Sequence, residues 1–432
     1  MARGIKSSIA APPAVPAPVE RRGFALSIGR GFAALHIRNY RLYWWGQLVS
    51  LIGTWMQTTV QSWLVLQLSH SPQALGIVTT LQFLPITVLS LFGGVIADKL
   101  PKRRLLIGTQ VVAMTTAAIF GLLVATHLIQ LWHIYVLAFC TGLVNAFDNP
   151  ARQSFAVELV DRETLSNAVA LNSMLFNAAR IVGPAVGGYS MAFFGAAPAL
   201  FFNAASFLAG IGALVFMKPA EMYPARRSER GNVLGQLHDG LVYSWRTPSV
   251  LLVMVVMAAI GTFGYNFSIS LPLIADFVLK TDSGGFGTLL ALMGVGSLVA
   301  AIMTAYLGRP TTRRLLIASA AFSVLLLAVA RSHNFMLTGA LLVVLGFCGI
   351  TFATAANTLL QLNVRDDMRG RVMGLYMLLF AGSTPLGALI IGVLSARVGV
   401  ENTLSICAGL CTLGAIAGTW FQRRHPLEVE GG

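Results

Sequence analysis

Apolar residues in this chain come in runs of about 20, the length at which a helix rising about 1.5 Å per residue crosses a bilayer core. Twelve such runs can be placed, with approximate limits 42–67, 74–97, 104–126, 131–149, 166–194, 198–217, 249–275, 285–307, 314–332, 335–361, 371–396 and 402–422. Over 432 residues, 56% are hydrophobic and 11% charged. An ordinary soluble globule has about a quarter of its residues charged, and a disordered chain is poor in apolar residues. The expectation is an all-α membrane protein of twelve transmembrane helices.

Charge orients these helices. Lys and Arg number 30 against 16 Asp and Glu, a formal charge of +14. In a soluble chain that excess would point to nucleic acid; in a polytopic one it marks cytoplasmic loops, so no nucleic-acid partner is expected. With both termini inside, 26 of the basic residues fall in inner segments and three (Lys280, Arg331, Arg397) in outer ones, leaving Arg180 within the fifth helix. A miscounted span would scramble that alternation. The four cysteines lie inside apolar runs, with neither metal-site spacing nor a disulfide framework. No metal or cofactor is expected.

Residues 1–30 read as a disordered cytoplasmic tail; 1–23 lack an apolar core, so no cleavable signal peptide is expected. A six-helix half then spans 31–217, a cytoplasmic linker 218–248, a second half 249–423 and a C-terminal tail 424–432. Within the linker, Leu234, Leu237, Leu241, Val242 and Trp245 form one apolar face on a short helix suited to the inner membrane surface.

The halves repeat. Lys102-Arg103-Arg104-Leu105-Leu106-Ile107 opens the third helix, and Thr312-Arg313-Arg314-Leu315-Leu316-Ile317 opens the ninth, 210 residues later. Val160-Asp161-Arg162-Glu163 precedes the fifth helix, and Val364-Arg365-Asp366-Asp367 precedes the eleventh, 204 residues later. Parallel repeats of this kind are typical of secondary transporters, with the substrate path between the halves.

The loop after the second helix carries Gly94, Asp98, Lys99, Pro101, Lys102, Arg103 and Arg104. Glycine lets helices approach closely, and an aspartate can accept from amides at a neighbouring helix N-terminus. The cations can pair with acids on adjacent helix ends, making a lock that forms and breaks as the halves rock. This loop resembles the signature loop of the major facilitator superfamily, departing at Pro101, where that pattern usually has glycine. The resemblance implies a major facilitator fold, two parallel six-helix halves, and a functional monomer. Asn145, Asp148, Pro150, Arg152 and Gln153 at the end of helix four, with Asn167, Asn172, Asn177, Arg180, Asn357, Gln361, Arg369 and Arg371, resemble the branch that contains the bacterial enterobactin exporter. That implies a bacterial inner-membrane location.

Gly183-Pro184 with Gly187-Gly188 resembles the fifth-helix motif of drug and proton antiporters. Proline frees a carbonyl and bends the helix, and glycines permit tight packing; the same motif can also be a packing kink without bearing on direction. Arg180 sits mid-span, where an arginine costs about 2.5–3.5 kcal/mol on insertion scales. It therefore faces protein or water, either lining a cavity and attracting anionic substrate groups or bonding carbonyls of a neighbouring helix. Polar stripes mark further cavity candidates: Gln57 and Gln61 on helix one, Asn145 on helix four, Asn177 on helix five, Asn266 on helix seven, Asn357 and Gln361 on helix ten. The inner gate is assigned to Gly94, Asp98, Lys102, Arg103, Asp148, Arg152, Arg369 and Arg371. Trp55, Trp63 and Phe83 read more readily as packing residues than as cavity walls.

No nucleotide-binding loop is present, and no nucleophile–base pair suggests an enzyme. Transport is then driven by a gradient or is passive; protons are the expected coupling ion, with Asp148 and Asp276 as the available acids. The family analogy pairs Asp148 with Lys102 or Arg103. The leading reading is a proton-coupled exporter of small organic compounds such as drugs or siderophores, working by alternating access. An importer of an anionic metabolite anchored by Arg180, and a non-transporting membrane scaffold, are the alternatives.

Overall fold

The computed structural model describes residues 32–223, 233–306, 308 and 310–424; for 90–99, 233, 234, 236 and 305 only the backbone is described. The terminal tail 1–30, the linker residues Arg226, Arg227 and Arg230, and the side chain of Asp98 therefore lie outside the described residues, as does what surrounds Gly94.

All regular structure among the described residues is helical. The first six spans are α1 (Arg38–Ser69), α2 (Pro72–Lys99), α3 (Lys102–Ala125), α4 (Leu131–Val157), α5 (Leu165–Phe194) and α6 (Ala196–Phe216). A short helix α7 (Val233–Arg246) follows. The second set is α8 (Pro248–Ala259) continuing into α9 (Phe267–Leu273), then α10 (Ser283–Tyr306), α11 (Thr312–Ala330), α12 (Phe335–Asn363), α13 (Arg369–Phe380) continuing into α14 (Thr384–Val398), and α15 (Val400–Arg424). Eleven described spans have the length and hydropathy to cross a membrane. The twelfth, α1, has 32 residues, and a buried polar stripe of Gln47, Ser50, Gln57 and Gln61 lowers its hydropathy.

Two spans are interrupted. The seventh passes through a π-helical turn at Ile260–Gly264, breaks at Tyr265, and ends in a second π-helical turn at Ile274–Val278. The eleventh breaks between Phe380 and Thr384. Helix α4 instead runs past the sequence-based limit at 149, through Pro150, to Val157. The hydroxyl of Ser154 donates to the carbonyl of Pro150 at 3.0 Å, the kind of local repair that lets proline sit inside a spanning helix.

The repeat is visible in backbone detail. Gly195 and Gly399, 204 residues apart, end α5 and α14 with φ of +80° and +85°. Only glycine adopts that conformation cheaply, so both turns into the next helix depend on it. In the first half α2 packs on α4, and Gly142 lets α4 approach the Gln82 carbonyl. In the second, α10 packs on α12, and Gly346, again 204 residues on, approaches the Met293 carbonyl.

The halves meet through α2 with α14 and α5 with α10, two contacts that exchange when the halves are swapped. A methyl added at Gly76 would lie 3.0 Å from Gly392 Cα; one at Gly287 would lie 3.0 Å from Gly188 Cα. Near them Trp63 stacks on Phe286 (ring centroids 5.6 Å), Thr80 Oγ1 donates to the Pro385 carbonyl at 3.0 Å, and Tyr189 and Thr288 share a hydroxyl hydrogen bond of 3.1 Å. All of these lie toward the end of the bundle opposite α7 and the described chain ends. Close glycine packing is how helices associate where lipid removes the hydrophobic drive between them.

Candidate functional site

A cavity of about 560 Å³ lies between the halves, in the size range of small-molecule sites. At one end it stops at Ser62 and Phe286, beneath the glycine seal. At the other its lining includes exposed Asn149, Gln153 and Asn172, so it opens toward the end that carries α7 and the described chain ends.

Its two walls differ. The first half contributes Tyr43, Gln47, Gln57, Gln82, Gln110, Asn145, Asn172 and Asn203 and, among the described residues, every charged group of the lining: Asp148, Arg152 and Arg180. The second half contributes Tyr265, Phe267, Phe286, Leu290, Met293 and Phe380, with few polar groups. Helix packing fixes the polar wall. Tyr40 Oη donates to the Ala168 carbonyl at 2.7 Å and Trp44 Nε1 to the Leu171 carbonyl at 3.1 Å, pinning α1 to α5. Asn203 Nδ2 donates to Gln57 Oε1 at 2.7 Å, pinning α6 to α1.

Asp148 is 5% exposed. It accepts from Thr109 Oγ1 at 2.7 Å and from Arg152 Nε and Nη2 at 2.8 and 2.5 Å. This corrects the expected pairing with Lys102 or Arg103. Residues four apart share a helix face, so Arg152 reaches Asp148 first. Lys102 instead pairs with Glu158 at 2.5 Å, and Arg103 donates to the carbonyls of Leu214 and Val215 at the end of α6. Arg152 Nη1 is buried and has no hydrogen-bond partner. Of the other expected gate residues, Arg369 pairs with Asp366 at 2.5 Å and Arg371 with Asp239 on α7 at 3.4 Å.

Arg180 lines the cavity. Among the described residues no hydrogen bond or ion pair holds it, which disfavours the reading in which it bonds a neighbouring helix's carbonyls. The other expected cavity residues divide. Gln57 and Asn145 line it. Gln61 turns aside to donate to Gln82 at 2.9 Å, and Asn177 donates to the Ser173 carbonyl at 2.8 Å on its own helix. Asn266 is fully buried, with Nδ2 on the Thr262 carbonyl at 2.6 Å, and Gln361 donates to Asn357 at 2.6 Å outside the lining. Trp55 and Phe83, read as packing residues, belong to the lining, whereas Trp63 is packing. The fifth helix is continuous through Pro184. Its glycines serve close approach: Gly183 and Gly187 face Trp55 and Met56 of α1, and Gly188 faces α10.

Gln82, Gln110 and Asn203 were not singled out from sequence. Each is a lone amide in an apolar span, and that isolation is the signal by which they could have been found.

Residues 29–428 match the family described as transmembrane secretion effector. The chain belongs to this family of the major facilitator superfamily. Similar proteins include the staphyloferrin A transporter of Staphylococcus aureus, 26% identical over 385 residues that make up 88% of this chain and 95% of that protein. The multidrug efflux pump Tap of Mycolicibacterium fortuitum is 28% identical over 378 residues, 85% of this chain and 91% of the pump. Among solved structures, the nucleoside transporter NupG superposes with a TM-score of 0.68 at 14% identity, covering 90% of this chain and 99% of its own. The POT family transporter PepTSo gives 0.69 at 13% identity, covering 91% and 99%. The chain therefore has the major facilitator fold, spans the membrane many times, and is a secondary transporter of small molecules rather than an enzyme.

Proposed function

We propose that the chain is a proton-coupled exporter of small organic compounds, drugs or siderophores among them, working by alternating access. The observation that carries this reading is Asp148, the one acid in the cavity lining among the described residues, hydrogen-bonded to Arg152 and Thr109. The names of two relatives, a staphyloferrin A transporter and a multidrug efflux pump, support a small organic cargo, and the second name supports export, as does the resemblance to the enterobactin exporter's branch.

With termini cytoplasmic, as the basic loops require, the cavity opens inward. Substrate enters from the cytoplasm while Asp148 is ionised and paired. The halves, taken as 31–217 and 249–423 joined by the linker 218–248, then rock. Facing outward, Asp148 takes up a proton, releases Arg152 and weakens the polar wall as substrate leaves. Facing inward again, it gives that proton to the cytoplasm. In the inward-open state each inner-gate cation with a resolved partner is held within its own half or by the linker helix. Closure re-pairs these groups across the halves, with Gly94 and Asp98 in the gate. The protein acts as a monomer in a bacterial inner membrane.

The test uses inverted membrane vesicles energised to an acidic interior and a fluorescent pH probe. Proton release on adding compounds from a drug and catecholate panel, absent in Asp148→Asn, is the expected result. An importer anchored by Arg180 would instead accumulate labelled anionic metabolites in whole cells and give no release in these vesicles.

A further inference from the structure

We infer that the cavity selects organic anions with a flat apolar body, bound in one orientation: the anionic group on Arg180, the body against the second half. The inference rests on this cavity being the transport site proposed above, and concerns which substrates it takes.

The charges in the lining do not cancel. Asp148 is matched by Arg152 and Thr109. Arg180 is matched by no group: among the described residues it has neither ion pair nor hydrogen bond. A guanidinium at membrane depth is tolerated when water or an anion solvates it, and its planar fork fits carboxylate, sulfonate or phosphate oxygens in pairs. A cationic guest would sit beside an uncompensated positive charge in a confined, poorly screening space.

The apolar wall begins where Arg180 ends. Tyr265, on the second half, lies within electrostatic reach of Arg180. Its ring is fixed by stacking on Phe322 at 5.5 Å and by an edge contact with Phe380 at 5.0 Å. Phe267 and Phe286 extend the same wall. An aryl or polycyclic body attached to an acid group reaches both features at once. A sugar-like polyol lacks the body, and a lipophilic amine has the wrong charge.

Binding is measured on the full chain in lipid nanodiscs, and uptake in energised inverted vesicles, with matched dyes: anionic fluorescein and a cationic rhodamine ester on the same xanthene skeleton. Naphthoate and benzoate grade the size of the body. Fluorescein is expected to bind at least about tenfold tighter than the rhodamine ester, the worth of one charge-assisted hydrogen bond. Arg180→Gln should erase that preference and Arg180→Lys retain part of it. Phe380→Ala should weaken both dyes alike. Equal or tighter binding of the cation, a preference that survives Arg180→Gln in monodisperse protein, or no binding by any of the three anions overturns the inference. Charge-selective binding without energised uptake would leave it standing and sink the exporter reading instead.

Discussion

Asp148 and Arg152 are joined along a single turn of α4 by two hydrogen bonds of 2.8 and 2.5 Å, and neither reaches across to the opposite half. The pair is thus a feature of the cavity wall, beside the exposed Asn149 and Gln153 of its open end. Replacing Asp148 with Asn leaves Arg152 charged beside a neutral amide. Asparagine cannot carry the proton, so we expect coupled proton release to be lost, with membrane insertion and yield unchanged. Full release by Asp148→Asn would remove this residue from the coupling step.

Lys102 and Glu158 are each at the unfavourable end of their own helix dipole, a cation at the start of α3 and an anion at the end of α4. Their 2.5 Å pair offsets both. Glu158→Gln should lower stability by about 1.5–3 kcal/mol, read as a drop in melting temperature in detergent. The double variant with Lys102→Gln should recover part of the loss. Additive effects of the two substitutions would show that the pair is not coupled.

Gly188 and Gly392 sit at equivalent places in the two seals between halves. A valine at either should cost the closed seal about 1–3 kcal/mol through overpacking, moving the population toward the opposite opening about five- to 150-fold. Ser62→Cys, at the sealed end of the cavity, reports it through faster labelling by an impermeant maleimide added on the outer side. An unchanged labelling rate would mean that the seal is not what holds this state.

Asp161 lies in the loop before α5, where the backbone N–H and the hydroxyl of Thr164 both donate to its Oδ1, at 2.8 and 2.7 Å. These bonds hold its carboxyl below the usual carboxylate range. A depressed value in the folded state contributes stability that is present above about pH 4, the unfolded value, and is lost as pH falls through the folded one. Melting temperature should therefore be higher at neutral pH than for Asp161→Ala, with the gap closing in acid. A gap that persists at the lowest pH at which the wild type folds would show that the aspartate acts through something other than its charge.

Much of this architecture was legible because hydrocarbon allows few solutions: span lengths, charged loops and the offset repeat each leave a period in the sequence. Side-chain direction inside the bundle was not legible in the same way. Gln57 and Gln61 share a helix face, yet one lines the cavity and the other is captured by Gln82 on the next helix. Asn266 has the polarity of a lining residue but sits where the seventh helix breaks, so its amide goes to the Thr262 carbonyl of the preceding π-helical turn. The partner of Asp148 was within reach, since the local four-residue rule favours Arg152; analogy with the family pointed instead to a cation on another helix. Trp55 and Phe83 look like ordinary apolar residues until the two halves are set side by side.

The glycine seal has a kinetic consequence. At Gly76 with Gly392 and Gly188 with Gly287, backbone meets backbone, with neighbouring hydroxyl hydrogen bonds such as Thr80 to Pro385 and Tyr189 to Thr288. Parting those glycine contacts breaks no ion pair among the described residues, although Asp276 of the second half lies within electrostatic reach of His70 of the first at the same end. The sealed end is a zipper held mainly by backbone contact, while the cation-rich end is a latch whose grip responds to ionic strength. Salt should then change the rate of the latch more than that of the zipper, and the two ends could be timed separately in the same vesicles.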